Sequence, residues 1–97
     1  MEDVIYYNEL YDLYGKLLTD KQCQYFEEYY FNNLSFSEIA ENYNISRNAA
    51  FKQLHIVTSK LEEYESKLQL LKKKKELLKI IDNVKDSKLK EELEKLV

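Results

Sequence analysis

Proline is absent from this chain of 97 residues, and glycine occurs once, at Gly15. Those two residue types supply the preset and left-handed backbone angles on which tight, irregular loops depend. A chain without them has few ways to turn sharply, and helices are its natural outcome. The same scarcity excludes a glycine-rich phosphate cradle, because the P-loop and the dinucleotide fingerprint both need two or more glycines at fixed spacing.

Apolar spacing and capping residues divide the chain. Val4, Tyr7, Tyr11, Tyr14 and Leu18 recur at steps of three and four, which predicts a first helix over about Asp3–Tyr14, weakened or ended by Gly15. Thr19 followed by Gln22 is a capping box, so a second helix should start at Asp20, carry Phe26, Tyr29 and Tyr30 inward and stop near Asn32-Asn33. Ser35 with Glu38 repeats the device and opens a short third helix whose inner face is Phe36, Ile39, Ala40 and Tyr43. Asn44 then closes it, since asparagine tolerates the left-handed conformation better than any residue but glycine. Ser46 caps the next helix, and no strong stop follows until Asp82-Asn83. One helix of about 35 residues is the simplest expectation, with a last short helix over Asp86–Val97.

Along that long helix Leu54, Val57, Leu61, Tyr64, Leu68, Leu71 and Leu78 keep a heptad pattern, broken once by Lys75. The seam could pack on the chain's own N-terminal helix or join two copies. A helix over residues 3–14 is too short to cover a seam that continues past Leu71, so a homodimer through Leu61, Tyr64, Leu68, Leu71 and Leu78 is expected.

Chemistry is poorly supplied. One cysteine, Cys23, and one histidine, His55, cannot build a Cys/His metal site or an internal disulfide. His55 has no carboxylate within two turns to orient it, so a surface role is expected and no enzyme, cofactor or metal. Nine tyrosines at helical spacing read as core with wet hydroxyls before they read as a base-stacking platform. No run approaches the ~20 apolar residues of a membrane span, and the acidic opening at Glu2 and Asp3 lacks the layout of a secretory signal, so a cytoplasmic location is expected.

Charge is unevenly placed. Residues 1–45 hold two basic residues against nine acidic ones, while residues 46–97 hold thirteen against nine. No Asp or Glu occurs from Asn42 to Leu61, and Arg47, Lys52, His55 and Lys60 all fall inside that gap. An anionic partner could approach there. The run Lys72-Lys73-Lys74-Lys75 covers all sides of a helix, so it reads as a solvated surface before a basic arm.

The segment from Ser35 to Ile56 has the spacing of a helix-turn-helix. Ala40 permits close crossing, Asn44 turns, Ile45 inserts between helices, and Ala50 and Leu54 bury the second helix's inner face. Ser46, Arg47, Asn48, Phe51, Lys52 and His55 remain outward, on the side a recognition helix presents to a major groove. Lys60 and Lys67 could add phosphate contacts. An exposed Phe51 could equally dock a protein partner.

On these residues the chain resembles region four of bacterial sigma factors and, more closely, the YlxM family of helix-turn-helix proteins. The matching stretches are Leu18-Thr19-Asp20-Lys21-Gln22, Tyr29-Tyr30, Leu34 to Glu41, Ile45 to Ala49 and Leu61 to Glu65. Asn44 stands where the pattern has glycine, and Ala50 where it has a larger aliphatic residue. The sigma resemblance implies promoter-DNA binding by the second helix. The YlxM resemblance implies assistance to the signal recognition particle, whose structured RNA or protein components would then be partners.

The expected fold is therefore all-α: a wingless, sigma region four-like helix-turn-helix domain over residues 1–60, and a helical extension over 61–97 that dimerises. The expected function is regulatory DNA binding, with an oligomerising protein-interaction module that binds no nucleic acid as the alternative.

Overall fold

The computed structural model describes residues 3–97; Glu2, which entered the reading of the N-terminus, lies outside them. Six helices follow in order, α1 (Val4–Tyr14), α2 (Asp20–Tyr30), α3 (Phe36–Tyr43), α4 (Arg47–Leu68), α5 (Leu70–Asp82) and α6 (Ser87–Glu94), with a 3₁₀ turn at Gly15–Leu17 and no strand among the described residues. The architecture is all-α.

Local chemistry sets most boundaries. The Asp3 carboxylate accepts the Tyr6 N–H at 3.1 Å, so Asp3 caps α1 and lies outside it. Both capping boxes form, with Thr19 and Gln22 exchanging bonds of 3.2 and 2.9 Å and Ser35 and Glu38 bonds of 3.1 and 3.0 Å. Asp86 caps α6 through the Lys88 and Leu89 N–H groups, and that helix ends at Glu94, short of the expected Val97. Gly15 follows α1 with its backbone still right-handed, and its missing side chain leaves room for the Tyr11 ring, which a Cβ there would meet at 3.2 Å.

The core has two parts that share α2 and α4. Leu10, Tyr14, Leu18, Phe26, Val57, Leu61 and Leu71 form one; Tyr25, Ile39, Ala40, Ala50 and Leu54 form the other. Tyr14 and Leu18 of the expected line are buried and Tyr7 and Tyr11 pack against the core, while Leu10 joins them fully buried and Val4, at 43% exposure, does not. The tyrosines do pack against this core, and their hydroxyls act as clips. Tyr7 donates to the Glu62 carboxylate, Tyr11 to Glu27 at 2.6 Å and Tyr14 to Glu65 at 2.6 Å, tying α1 to α2 and α4. The bond to Glu62, together with burial, pushes the Tyr7 phenol up to about 12.

The expected 35-residue helix is two helices. Gln69 breaks it in the left-handed conformation, with φ 56° and ψ 32°, although glutamine has no preference for that region. The compensation comes from Glu65. Its carboxylate accepts the Leu71 and Lys72 N–H groups at 3.0 and 3.2 Å, while the Tyr14 hydroxyl accepts the Leu70 N–H at 3.1 Å and donates to Glu65. Three of the four N–H groups that open α5 are thus satisfied from α1 and α4. Burial pushes the Glu65 carboxyl up, but the Tyr14 hydroxyl and the two N–H groups outweigh it and hold the group below its usual range.

That bend corrects the dimer seam. It lays α5 antiparallel to α1, with Tyr14 at the start of α5 and Glu9 paired to Lys75 at 3.6 Å. Leu61 and Leu71 are buried in the chain's own core at 0% and 4% exposure, and Tyr64 packs on it with its hydroxyl 3.4 Å from the Leu17 carbonyl. Only Leu68 and Leu78 of the five seam residues stay exposed. The heptad therefore serves mainly intramolecular packing, because a helix broken at Gln69 can meet α1 on both sides of the break. The α5–α6 arm still projects: the radius of gyration is 16.9 Å, against about 13 Å for a compact chain of this length.

Candidate nucleic-acid interface

The turn between α3 and α4 is built as its sequence suggests. Asn44 is left-handed at φ 53° and ψ 47°, its N–H bonds the Glu41 carbonyl at 3.3 Å, and the Ile45 N–H reaches back to Ala40 at 3.0 Å. This six-to-one closure stops α3 and reverses the chain. Ser46 is extended and its Oγ accepts the Ala49 N–H at 3.0 Å, starting α4 at the next residue, Arg47. Ala40, Ala50 and Leu54 are buried where the two helices cross, so small side chains on both helices allow the close approach.

With that face buried, the opposite face of α4 is solvent-exposed. Ser46, Arg47, Asn48, Phe51, Lys52 and His55 are all exposed, and the structure brings these six together on the first three turns of one helix. Lys60 and Lys67 do not join them. At 100° per residue they project roughly 150° round from the Phe51–His55 line, and Lys67 is already paired with Glu63 at 2.9 Å. Lys72, Lys73, Lys74 and Lys75 are exposed on α5, with Lys75 held by Glu9.

Phe36, expected only in the core, also lies beneath this exposed face. It is half-buried, stacks on Tyr29 with ring centroids 4.9 Å apart, and meets the edge of Phe51 at 5.3 Å. The Arg47 guanidinium lies 5.9 Å from the same ring. Phe36 thus braces two of the outward residues from below. The signal was available in part, since the first residue of a helix-turn-helix's leading helix lies beside the start of the recognition helix. The absence of Asp and Glu from Asn42 to Leu61 leaves the face without a carboxylate of its own helix to neutralise Arg47 and Lys52.

Comparison with known proteins agrees with this architecture. A UPF0122 protein of Caldanaerobacter subterraneus is 45% identical over 85 residues, covering 88% of this chain and 73% of that protein. One from Geobacillus kaustophilus is 42% identical over 86 residues, covering 89% and 78%. One from Fusobacterium nucleatum is 35% identical over 97 residues, covering 100% and 94%. The family model described as "Putative helix-turn-helix protein, YlxM / p13 like" matches residues 1–97. The chain belongs to the UPF0122 family of YlxM/p13-like helix-turn-helix proteins.

Proposed function

We propose that this chain is a regulatory protein that binds nucleic acid, DNA in the first instance, through the outward face of α4. The observation that carries it is the clustering of Ser46, Arg47, Asn48, Phe51, Lys52 and His55 on one exposed face of a helix segment that holds no Asp or Glu, directly after a formed helix-turn-helix bend. In a major groove Arg47 or Lys52 would address guanine edges, Asn48 adenine, and Phe51 a thymine methyl. Titration of a labelled DNA duplex across salt concentration tests it. Log affinity should fall linearly with log salt, at about −0.9 per phosphate contacted, and Arg47→Ala or Lys52→Ala should weaken binding. A salt-independent affinity, or no binding, contradicts the proposal.

A second copy of this chain is proposed as what covers the outer stripe of α5. Leu70, Leu77 and Ile80 are 42%, 41% and 65% exposed and fall within about a quarter turn of one another. The helix carries five lysines against Glu76 and Asp82, whereas residues 1–45 are acidic, so a second copy offers both apolar area and opposite charge. Light scattering on the wild type should give twice the chain mass, and Leu77→Asp with Ile80→Asp should halve it. A monomeric wild type at high protein concentration ends the dimer.

A further inference from the structure

We infer that Gln69 is a hinge and that residues 70–97 exchange between two copies of this chain, with α4 and α5 joining into one straight helix over residues 47–82 whose far half packs on α1 of the second copy. The inference rests on association with a second copy and specifies how the two chains are joined.

Gln69 is the whole connection, since α4 ends at Leu68 and α5 begins at Leu70. A residue with a Cβ held left-handed, here at φ 56°, is strained, and a short strained hinge invites exchange. Straightening costs no backbone hydrogen bond. The Gln69 N–H already reaches the Glu65 carbonyl at 2.8 Å and the Lys73 N–H reaches the Gln69 carbonyl at 3.0 Å, both at the four-residue step of an α-helix. Only the Leu70, Leu71 and Lys72 N–H groups leave that ladder, held by the Tyr14 hydroxyl and the Glu65 carboxylate. In a straight helix the Ser66, Lys67 and Leu68 carbonyls accept them instead.

The apolar seam also runs through the hinge in phase. On a straight helix Leu61, Tyr64, Leu68, Leu71 and Leu78 fall within about 100° of one another, although the bend leaves Leu68 47% exposed. A permanent bend needs no common phase on its two sides; a helix that straightens does, so that its seam passes from the chain's own core to α1 of the second copy. The contacts to be exchanged are already formed within one chain. Leu71 joins the cluster of Leu10 and Tyr14, Lys75 pairs with Glu9, and α6 packs on α5, so the arm moves as one piece onto a surface that every copy carries. Charge favours the encounter, because α5 holds five lysines against Glu76 and Asp82 while residues 1–45 hold nine acidic residues against two basic ones.

The test uses the full chain, unfolded and refolded at high concentration so that exchange reaches equilibrium. Cys23 is replaced by serine, and Glu9→Cys and Lys75→Cys are bridged with a short bismaleimide. On a denaturing gel the product should run at twice the chain mass, because each bridge links α1 of one chain to α5 of the other. Gln69→Gly relieves the left-handed strain and disfavours the straight helix at both hinges, and should weaken dimerisation roughly 100-fold or more in sedimentation. A bridged product of single-chain mass from a dimeric protein, or a dimer undiminished by Gln69→Gly, overturns the exchange and leaves the association standing. A monomeric wild type overturns both.

Discussion

Replacing Phe26 by alanine is expected to destabilise the fold by about 3–5 kcal/mol, the usual penalty for emptying a buried aromatic site. Phe26 is fully buried at the junction of α1, α2 and α4. Its ring stacks on Tyr11 at 4.2 Å and on Tyr30 at 4.5 Å, and meets Phe31 edge-on at 5.9 Å. Alanine would remove the one ring that these three share, and the Tyr11 hydroxyl is tied to Glu27, which limits how far α1 can collapse into the hole. Against a total stability of about 5–15 kcal/mol for a domain of this size, such a loss leaves little margin. Denaturant unfolding followed by circular dichroism checks it. A loss below about 1 kcal/mol would mean that the stack is not central to the core.

Glu65→Ala should cost about 2 kcal/mol at neutral pH, since hydrogen bonds to a charged group contribute more than neutral ones and three are lost together. Those three come from the Tyr14 hydroxyl and the Leu71 and Lys72 N–H groups, which no other acceptor reaches. The effect has a definite pH sign. The folded-state pKa of Glu65 lies below its unfolded value, so its contribution is complete above the unfolded value and disappears as pH falls through the depressed folded one. The gap between wild type and Glu65→Ala should therefore be widest at neutral pH and close in acid, below about pH 4. A gap of equal size at both ends would show that packing and not the carboxylate's charge supports the bend.

The same residue explains where sequence and structure part. Thr19, Ser35 and Ser46 act on N–H groups three positions away, so their caps can be read from neighbouring letters. Asn44 is similar, its left-handed turn being a property of one residue type. The break at Gln69 has no such local sign. Its cap, Glu65, lies inside the preceding helix, and the hydroxyl that completes it belongs to Tyr14, 51 positions from Glu65. The heptad leucines looked like a dimer seam for the same reason: periodicity shows that a face is apolar, without showing which surface covers it. The exposure of the outer face of α4 was legible because burial of Ala50 and Leu54 forces the opposite side of the helix outward. The Phe36 brace under Phe51 was not, since it depends on side-chain rotamers and on a residue of another helix.

The proposal that α4 meets nucleic acid is tested most directly by titrating two variants side by side. One carries Arg47→Ala with Lys52→Ala on α4; the other replaces Lys72, Lys73 and Lys74 by glutamine on α5, all of them exposed. The account expects the α4 variant to lose affinity and to flatten the salt dependence by about one phosphate contact, while the α5 variant stays close to wild type. The reverse pattern, with the α5 lysines carrying the salt dependence and the α4 pair dispensable, would contradict it.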